Sequence, residues 1–490
     1  MKRIFSIQNA TKLIIFMFFL FLYTFPLVSQ SRESMKQVEI TENSTLHDLL
    51  AAAALNNPGL MAAFEQWQAT LARVPQVKSL PNPQISFAYF IREIETRVGP
   101  QQAKVGIMQM FPWFGKLKLK GNAAAEAANA EKQKYENLKL DLFYRVKEAY
   151  FDYYYITRMI TILKENVQLL EHLESVIETK YRTGTALYAN LVRIQVERDK
   201  LDNQFKSAKD VLEPVKAKLN TTLNRPLNAP LPIPKEIPME PESLDLSRDR
   251  LIESLRKNNP SLKSMDFMTA KEQINIKLAK KNYYPDFSIG VDYMITDEAR
   301  MPGVSDSGKD PLAAMVSLQL PIWFKKNRAA VKEANARYRA VLNEKKEVEN
   351  NLLARLEMVF FKYRDAGRKM ALYKKTLIPR AQQALEVTRS AFEAGKANFT
   401  DFIDSQRMLL AFELEYEEAR TRRAQRLAEL EMLGVFPTKN EGGSFRENRP
   451  PIPPAKASDR AKIKSFLGVQ GAILQKSPLA AGGKRRIIDE

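Results

Sequence analysis

Residues 285–295 read Pro-Asp-Phe-Ser-Ile-Gly-Val-Asp-Tyr-Met-Ile, and residues 83–91 read Pro-Gln-Ile-Ser-Phe-Ala-Tyr-Phe-Ile. In the later stretch Phe287, Ile289, Val291, Tyr293 and Ile295 alternate with Asp286, Ser288, Gly290 and Asp292. In the earlier one Ile85, Phe87, Tyr89 and Ile91 share a side. A period of two puts such residues on one face of a strand. A second alternating run follows each: Ala103, Val105 and Ile107, then Ala314, Val316, Leu318 and Leu320. The loops between them, 97–100 and 301–311, are rich in turn residues. Each run is about 9–11 residues, the length of a tilted strand that crosses a bilayer. The competing reading is two soluble hairpins packed on helices. If the strands do enter lipid, closure becomes decisive. Lipid tolerates no unpaired strand edge, and the smallest such barrels have about eight strands. Four strands predict an oligomer whose copies complete the wall.

The strands belong to an internal duplication. Asn56-Asn57-Pro58-Gly59-Leu60 returns as Asn258-Asn259-Pro260-Ser261-Leu262, about 202 residues later. Gln109-Met110-Phe111-Pro112-Trp113-Phe114 corresponds to Gln319-Leu320-Pro321-Ile322-Trp323-Phe324, with one residue inserted before the tryptophan. Tyr181-Arg-Thr-Gly184 matches Phe392-Glu-Ala-Gly395 at a spacing of about 211. Two repeats, 41–225 and 244–437, therefore share one plan. The stretch between them, 226–243, carries six prolines and cannot be a helix interior. Each repeat predicts a helix of about 20 residues (58–80; 260–282), two strands, a very long helix, a glycine turn at Gly184 or Gly395, and a second long helix. Leu142, Val146, Ala149, Tyr153, Ile156, Ile160, Leu163, Val167 and Leu170 step by four and three, the period of supercoiled helices. After Gly184 the pattern resumes and is interrupted at Arg198. From Lys116 to Arg182 a continuous helix would span about 100 Å at 1.5 Å per residue.

Composition removes most chemistry. The chain has no Cys and only two His, His47 and His172, which excludes disulfides, thiol catalysis and a multi-histidine metal site. No phosphate-binding or hydrolase signature occurs, so no enzyme, catalytic residue, cofactor or metal is expected. The formal charge is +19, from 76 Lys and Arg against 57 Asp and Glu. Much of it lies in the leader, in the tail and in mixed-charge helix surfaces, which argues against a nucleic-acid partner. Residues 1–30 read as a signal peptide, with Lys2, Arg3 and Lys12 before an apolar run. Residues 438–490 read as a basic, disordered tail. Trp113, Phe114, Trp323 and Phe324 stand where strands should meet helices, as an interfacial girdle or as junction packing.

The duplication, the Phe111-Pro-Trp-Phe-Gly-Lys116 strand end and the Tyr/Phe-x-x-Gly turns resemble the TolC-like outer-membrane efflux proteins over residues 41–437. The Pro-Trp-Phe-Gly-Lys form looks like the branch associated with heavy-metal export and pumps of the RND type. The resemblance implies an α+β membrane protein: a homotrimer with four strands per copy in a 12-stranded outer-membrane β-barrel set in lipid, and a periplasmic α-barrel. It implies a passive exit duct, joined by a periplasmic adaptor (membrane fusion) protein to an inner-membrane RND or ABC transporter. It makes Pro112, Trp113, Gly115, Pro321 and Trp323 strand–helix junctions. It also makes Asp401 and Asp404, three apart on one helix face, the tunnel constriction. Stacked carboxylate rings there would attract cations and raise one another's pKa. A helix-capping role for Asn398 and Asp401 is the alternative. Where the best-studied member latches its closed end with Tyr, Arg, Thr and Asp, this chain has Phe392, Ala397, Ala189 and Asn190, so other contacts must hold it shut. A periplasmic coiled-coil scaffold or adhesin without transport activity is the rival reading, and a polyanion binder a weaker one.

Overall fold

A computed structural model of the chain describes residues 40–234, 236–237 and 247–436. The leader, part of the proline-rich stretch and the 438–490 tail lie outside the described residues. In the first repeat, α1 (Leu46–Asn56) and α2 (Pro58–Lys78) precede β1 (Gln84–Ile94) and β2 (Gln101–Phe111). The long α3 (Lys116–Arg182) and its return α4 (Tyr188–Thr222) follow. The second repeat has α5 (Arg248–Asn258), α6 (Pro260–Lys281), β3 (Asp286–Thr296), β4 (Leu312–Gln319), α7 (Phe324–Leu372), a π-helical turn (Tyr373–Leu377), α8 (Ile378–Glu393) and α9 (Phe399–Met432). Helices α1 and α5 were not legible as separate elements.

The repeated Asn-Asn-Pro explains both breaks. The Asn57 side chain accepts from Leu60 N–H at 3.0 Å, and Asn259 accepts from Ser261 and Leu262 N–H at 2.9 and 3.2 Å. Each asparagine thus caps a new helix whose first residue is proline. Proline there costs nothing, because its missing N–H would have no helical partner.

Helix α3 runs unbroken for 67 residues. Its flanks are filled in sequence by shorter helices: α2 and α6 beside part of it, α4 and α9 beside the rest. Two cores follow. One gathers Leu49, Ala53, Leu142, Val146, Tyr153, Leu219 and Ala428, together with Leu231 and Ile237 from the proline-rich stretch. That stretch is pinned as well, since Asn220 Nδ2 donates to the carbonyls of Leu227 and Ala229, both at 2.9 Å. The other core, toward the glycine turns, gathers Leu163, Leu170, Ile194, Leu201, Phe399 and Phe402.

The π turn has a sequence cause. Buried Leu356, Val359 and Tyr363 correspond to Val146, Ala149 and Tyr153 at a spacing of 210. Buried Ala381 corresponds to Leu170, and Gly395 to Gly184, at a spacing of 211. One residue has been added between, and the wider i→i+5 turn at 373–377 holds it. In a regular α-helix that residue would rotate everything beyond it by about 100°. With the π turn, the apolar stripe continues on the packed face.

The strands form one antiparallel sheet in the order β1-β2-β3-β4. Directly opposed residues share a face. Ile85↔Ile107, Phe87↔Val105, Ile107↔Val291 and Ile289↔Val316 therefore build one continuous apolar surface. It is uncovered: Ile91 is 94% exposed, and Phe87, Tyr89, Val316 and Leu318 are also open. Leaving such side chains in water forfeits about 1.5–3 kcal/mol each. Across the sheet the loss is roughly 20–40 kcal/mol, too much for a surface that stays wet. Among the described residues no helix is long and apolar enough to cross a membrane. The opposite face is polar and tight. Ser86, Gly106 and Asp292 lie in one row, and Lys104 Nζ reaches Asp292 Oδ2 at 2.7 Å. A Cβ at Gly106 would fall 2.2 Å from Asp292 Oδ1, so only glycine lets the carboxylate lie against the strand.

Candidate gate and strand–helix junctions

Both glycine turns end a long helix in the same way. Gly184 and Gly395 have φ of +74° and +72°. Thr185 N–H donates to Lys180 O at 2.8 Å, and Lys396 N–H donates to Ala391 O at 2.7 Å, which satisfies the last helical carbonyls. Only glycine adopts this conformation without strain.

Just beyond Gly395, Asn398 is the N-cap residue of α9, and its side chain makes no capping hydrogen bond. The side-chain cap is therefore absent, but Asp401 does sit in the first turn, where its charge complements the helix dipole. Asp401 and Asp404 both face solvent, away from the buried Phe402, Ile403 and Ser405. They are not equivalent. Asp401 has no ion pair among the described residues, whereas Asp404 accepts from Arg407 Nη1 at 2.9 Å. Arg407 also grips Glu197 of α4, with Nε donating to Oε2 at 2.9 Å and Nη2 against Oε1. Glu197 is nearly buried, with its side chain 12% exposed. The guanidinium beside it holds its carboxyl below the usual glutamate range. One turn nearer the tip, Arg193 donates to Thr400. These contacts tie the returning helices of the two repeats together.

Phe392, three residues before the Gly395 turn, packs into an aromatic cluster. It stacks on Phe402 at 5.9 Å and meets Phe399 at 5.5 Å, with Lys180 Nζ 4.9 Å from its ring centre. Arg198, where the heptads falter, is a bridge: it contacts Glu174 of α3 and Asp199.

Farther along, a polar seam joins α3 to α9. Gln406 donates to Asn166 Oδ1 at 2.5 Å, and Gln425 to Asp152 Oδ1 at 2.7 Å. The Tyr154 hydroxyl donates to Glu417 and accepts from Arg420 at 2.7 Å. Burial, then the Glu417 carboxylate, pushes that hydroxyl up to about 12, so it stays protonated. Buried polar groups at a helical seam fix register, because a slip would leave them without partners.

The two strand–helix junctions differ. In the first, Trp113 N–H and Lys116 Nζ both donate to Asp286 Oδ1 of β3, each at 2.7 Å. Lys116 is only 6% exposed and also donates to the Tyr284 carbonyl. Trp113 stacks on Tyr284 at 5.4 Å, and Pro112 precedes it. Gly115 takes φ +86° to turn the chain into α3. In the second junction, after Pro321, Trp323 is 72% exposed and Phe324 and Ile322 are open as well. The aromatic residues thus divide: Trp113 is packing, whereas Phe114 in the first junction and Trp323 and Phe324 in the second remain exposed.

The two glycine turns and the shared helix face of Asp401 and Asp404 follow from local spacing, whereas the Arg407–Glu197 and Lys116–Asp286 pairings were not foreseen. The Asp404–Arg407 spacing of three was a readable signal. The approach of Glu197 and of Asp286 depends on tertiary folding and left none.

An open four-stranded sheet with an apolar outer face, continued by helices of about 100 Å, defines a membrane-anchored duct. The profile of the outer membrane efflux proteins matches residues 49–210 and 251–434, and the chain belongs to that family. It is an outer-membrane efflux channel rather than an enzyme, with its strands in the membrane and its helices in the periplasm. The chain is 20% identical over 376 residues to the cobalt-zinc-cadmium resistance protein CzcC of Cupriavidus metallidurans, covering 76% of this chain and 85% of that protein. The fold is similar to that of the outer-membrane channel OprN (TM-score 0.67, 14% identity, 80% of this chain and 89% of that one). It is also similar to the outer membrane protein VceC of Vibrio cholerae (TM-score 0.64, 14% identity, 79% and 96%). CusC gives a TM-score of 0.66 at 14% identity, over 83% and 95% of the two chains.

Proposed function

We propose that three copies of this chain close a 12-stranded barrel and one helical tunnel, and that the tunnel is gated where the helices turn at Gly184 and Gly395. The observation that carries this is the sheet itself, which among the described residues has four strands, two edges without a strand partner and an unburied apolar face. A barrel in lipid removes both the edges and the exposure. In this arrangement Asp401 lines the constriction as a ring of three free carboxylates, while Asp404 is held by Arg407. The Arg407–Glu197 bridge takes the place of the family's latch residues.

The duct does no bond chemistry. It passes cargo delivered by an inner-membrane RND or ABC transporter through a periplasmic adaptor. The similarity to a cobalt-zinc-cadmium resistance protein makes divalent cations the first cargo to test. Reconstituted in planar lipid bilayers, the full chain is expected to give discrete channels that are blocked by di- and trivalent cations. A protein that inserts and conducts nothing would remove the reading.

A further inference from the structure

The internal repeat specifies how one copy meets the next. β1 and β3 correspond at a spacing of 202, Phe87 to Ile289. The in-chain pairs Phe87↔Val105 and Ile289↔Val316 then set β2 and β4 in correspondence at 211. The chain thus already contains one joint between repeats, β2 against β3, with Gln109↔Ile289, Ile107↔Val291 and Val105↔Tyr293 opposed. The second joint, β4 against the β1 of another copy, is absent from a single chain, and both edges lack a strand partner among the described residues.

Carrying the first joint over by the two spacings, we infer that β4, continued by one residue to Leu320, pairs antiparallel with β1 of a neighbouring copy in the register Leu320↔Phe87, Leu318↔Tyr89 and Val316↔Ile91. This rests on the barrel reading above and adds its residue-level interface. Three features support it. Strand directions alternate across the sheet, so the edge strands run opposite ways, as an antiparallel joint needs. All six residues lie on the apolar outer face, so the parity of the register is correct, whereas a slip by one would turn one edge inside out. All six are among the exposed apolar side chains of the single chain, so the joint puts each beside a cross-strand neighbour.

Directly opposed residues have Cα atoms about 4.5–5.5 Å apart. A register slipped by two would set the same residues about 7–8 Å apart, beyond the reach of about 7 Å that a disulfide allows. The chain has no cysteine of its own, so engineered pairs can be read without background. In outer membranes carrying the full chain, Tyr89→Cys with Leu318→Cys, and separately Phe87→Cys with Leu320→Cys, are expected to oxidise to covalent dimers and trimers. The slipped pairs, Phe87→Cys or Ile91→Cys with Leu318→Cys, are expected to stay monomeric on denaturing gels. Ile107→Cys with Val291→Cys is the in-chain control for oxidation. Ladders from a slipped pair instead would overturn the register and leave closure standing. No ladder from any edge pair, with the in-chain control oxidised, would overturn the joint and the barrel reading together.

Discussion

Arg407→Ala is expected to raise the mean conductance of the closed channel, and Arg407→Glu to raise it further. The guanidinium binds Glu197 through two nitrogens and Asp404 through one. Such a charge-assisted, half-exposed contact contributes about 1 kcal/mol. Three copies acting together would shift the closed-to-open ratio by about 3 kcal/mol, on the order of a hundredfold. Exchanging the charges, Arg407→Glu with Glu197→Arg, should restore much of the closed state. Asp401→Ala should weaken cation block more than Asp404→Ala, because Arg407 already compensates Asp404. The pH dependence has a definite sign. Glu197 titrates below its ordinary value when paired, so its contribution is complete above that value, about pH 4. It is lost as acid takes the pH down through the lowered one. Conductance should therefore rise on acidification in the native channel and lose this component in Arg407→Ala. Single-channel currents that are the same in native, Arg407→Ala and Arg407→Glu protein would contradict the assignment.

Asp286→Ala is expected to cost the assembly about 2–3 kcal/mol per copy, because it strands the buried Lys116 ammonium. The Asp286 side chain itself is 24% exposed, so the loss falls below that of a fully buried pair. Lys116 would keep only the Tyr284 carbonyl at 3.2 Å, and Trp113 N–H would lose its acceptor. Asp286→Asn separates the two roles, since the amide oxygen can still accept from Trp113 but cannot neutralise Lys116. It should fall between native and Asp286→Ala. Lys116→Met in the Asp286→Ala background should recover part of the loss by removing the stranded charge. The measurement is the temperature at which the detergent-solubilised assembly dissociates. A midpoint unchanged by Asp286→Ala would show that the junction is held by aromatic packing alone.

Much of this architecture could be read from residue spacing, for identifiable reasons. Alternation with period two in 285–295 and heptads in 142–170 are local and leave periods in the sequence. The Asn-Asn-Pro landmarks fixed helix starts at Pro58 and Pro260, because capping and proline geometry are also local. The short helices before those landmarks were hidden, since 11 residues give too few turns for a clear period. The π turn appeared only as a drift in repeat spacing from 210 to 211. What stayed illegible was contact between distant elements. Asp286 differs from its counterpart Gln84 by a charge that looks incidental until Lys116 folds against it. Glu197 and Arg407 are 210 residues apart, and no helical periodicity links them.

The claim on which everything depends is that one chain supplies a third of a closed wall. Its most direct measurement is the mass of the detergent-solubilised assembly extracted from outer membranes, by native mass spectrometry with the detergent stripped. The expected particle holds three copies of the 56.1 kDa chain, less any leader removed on export. A stable, monodisperse single copy, with the apolar face of its sheet shielded by its own helices, would contradict it.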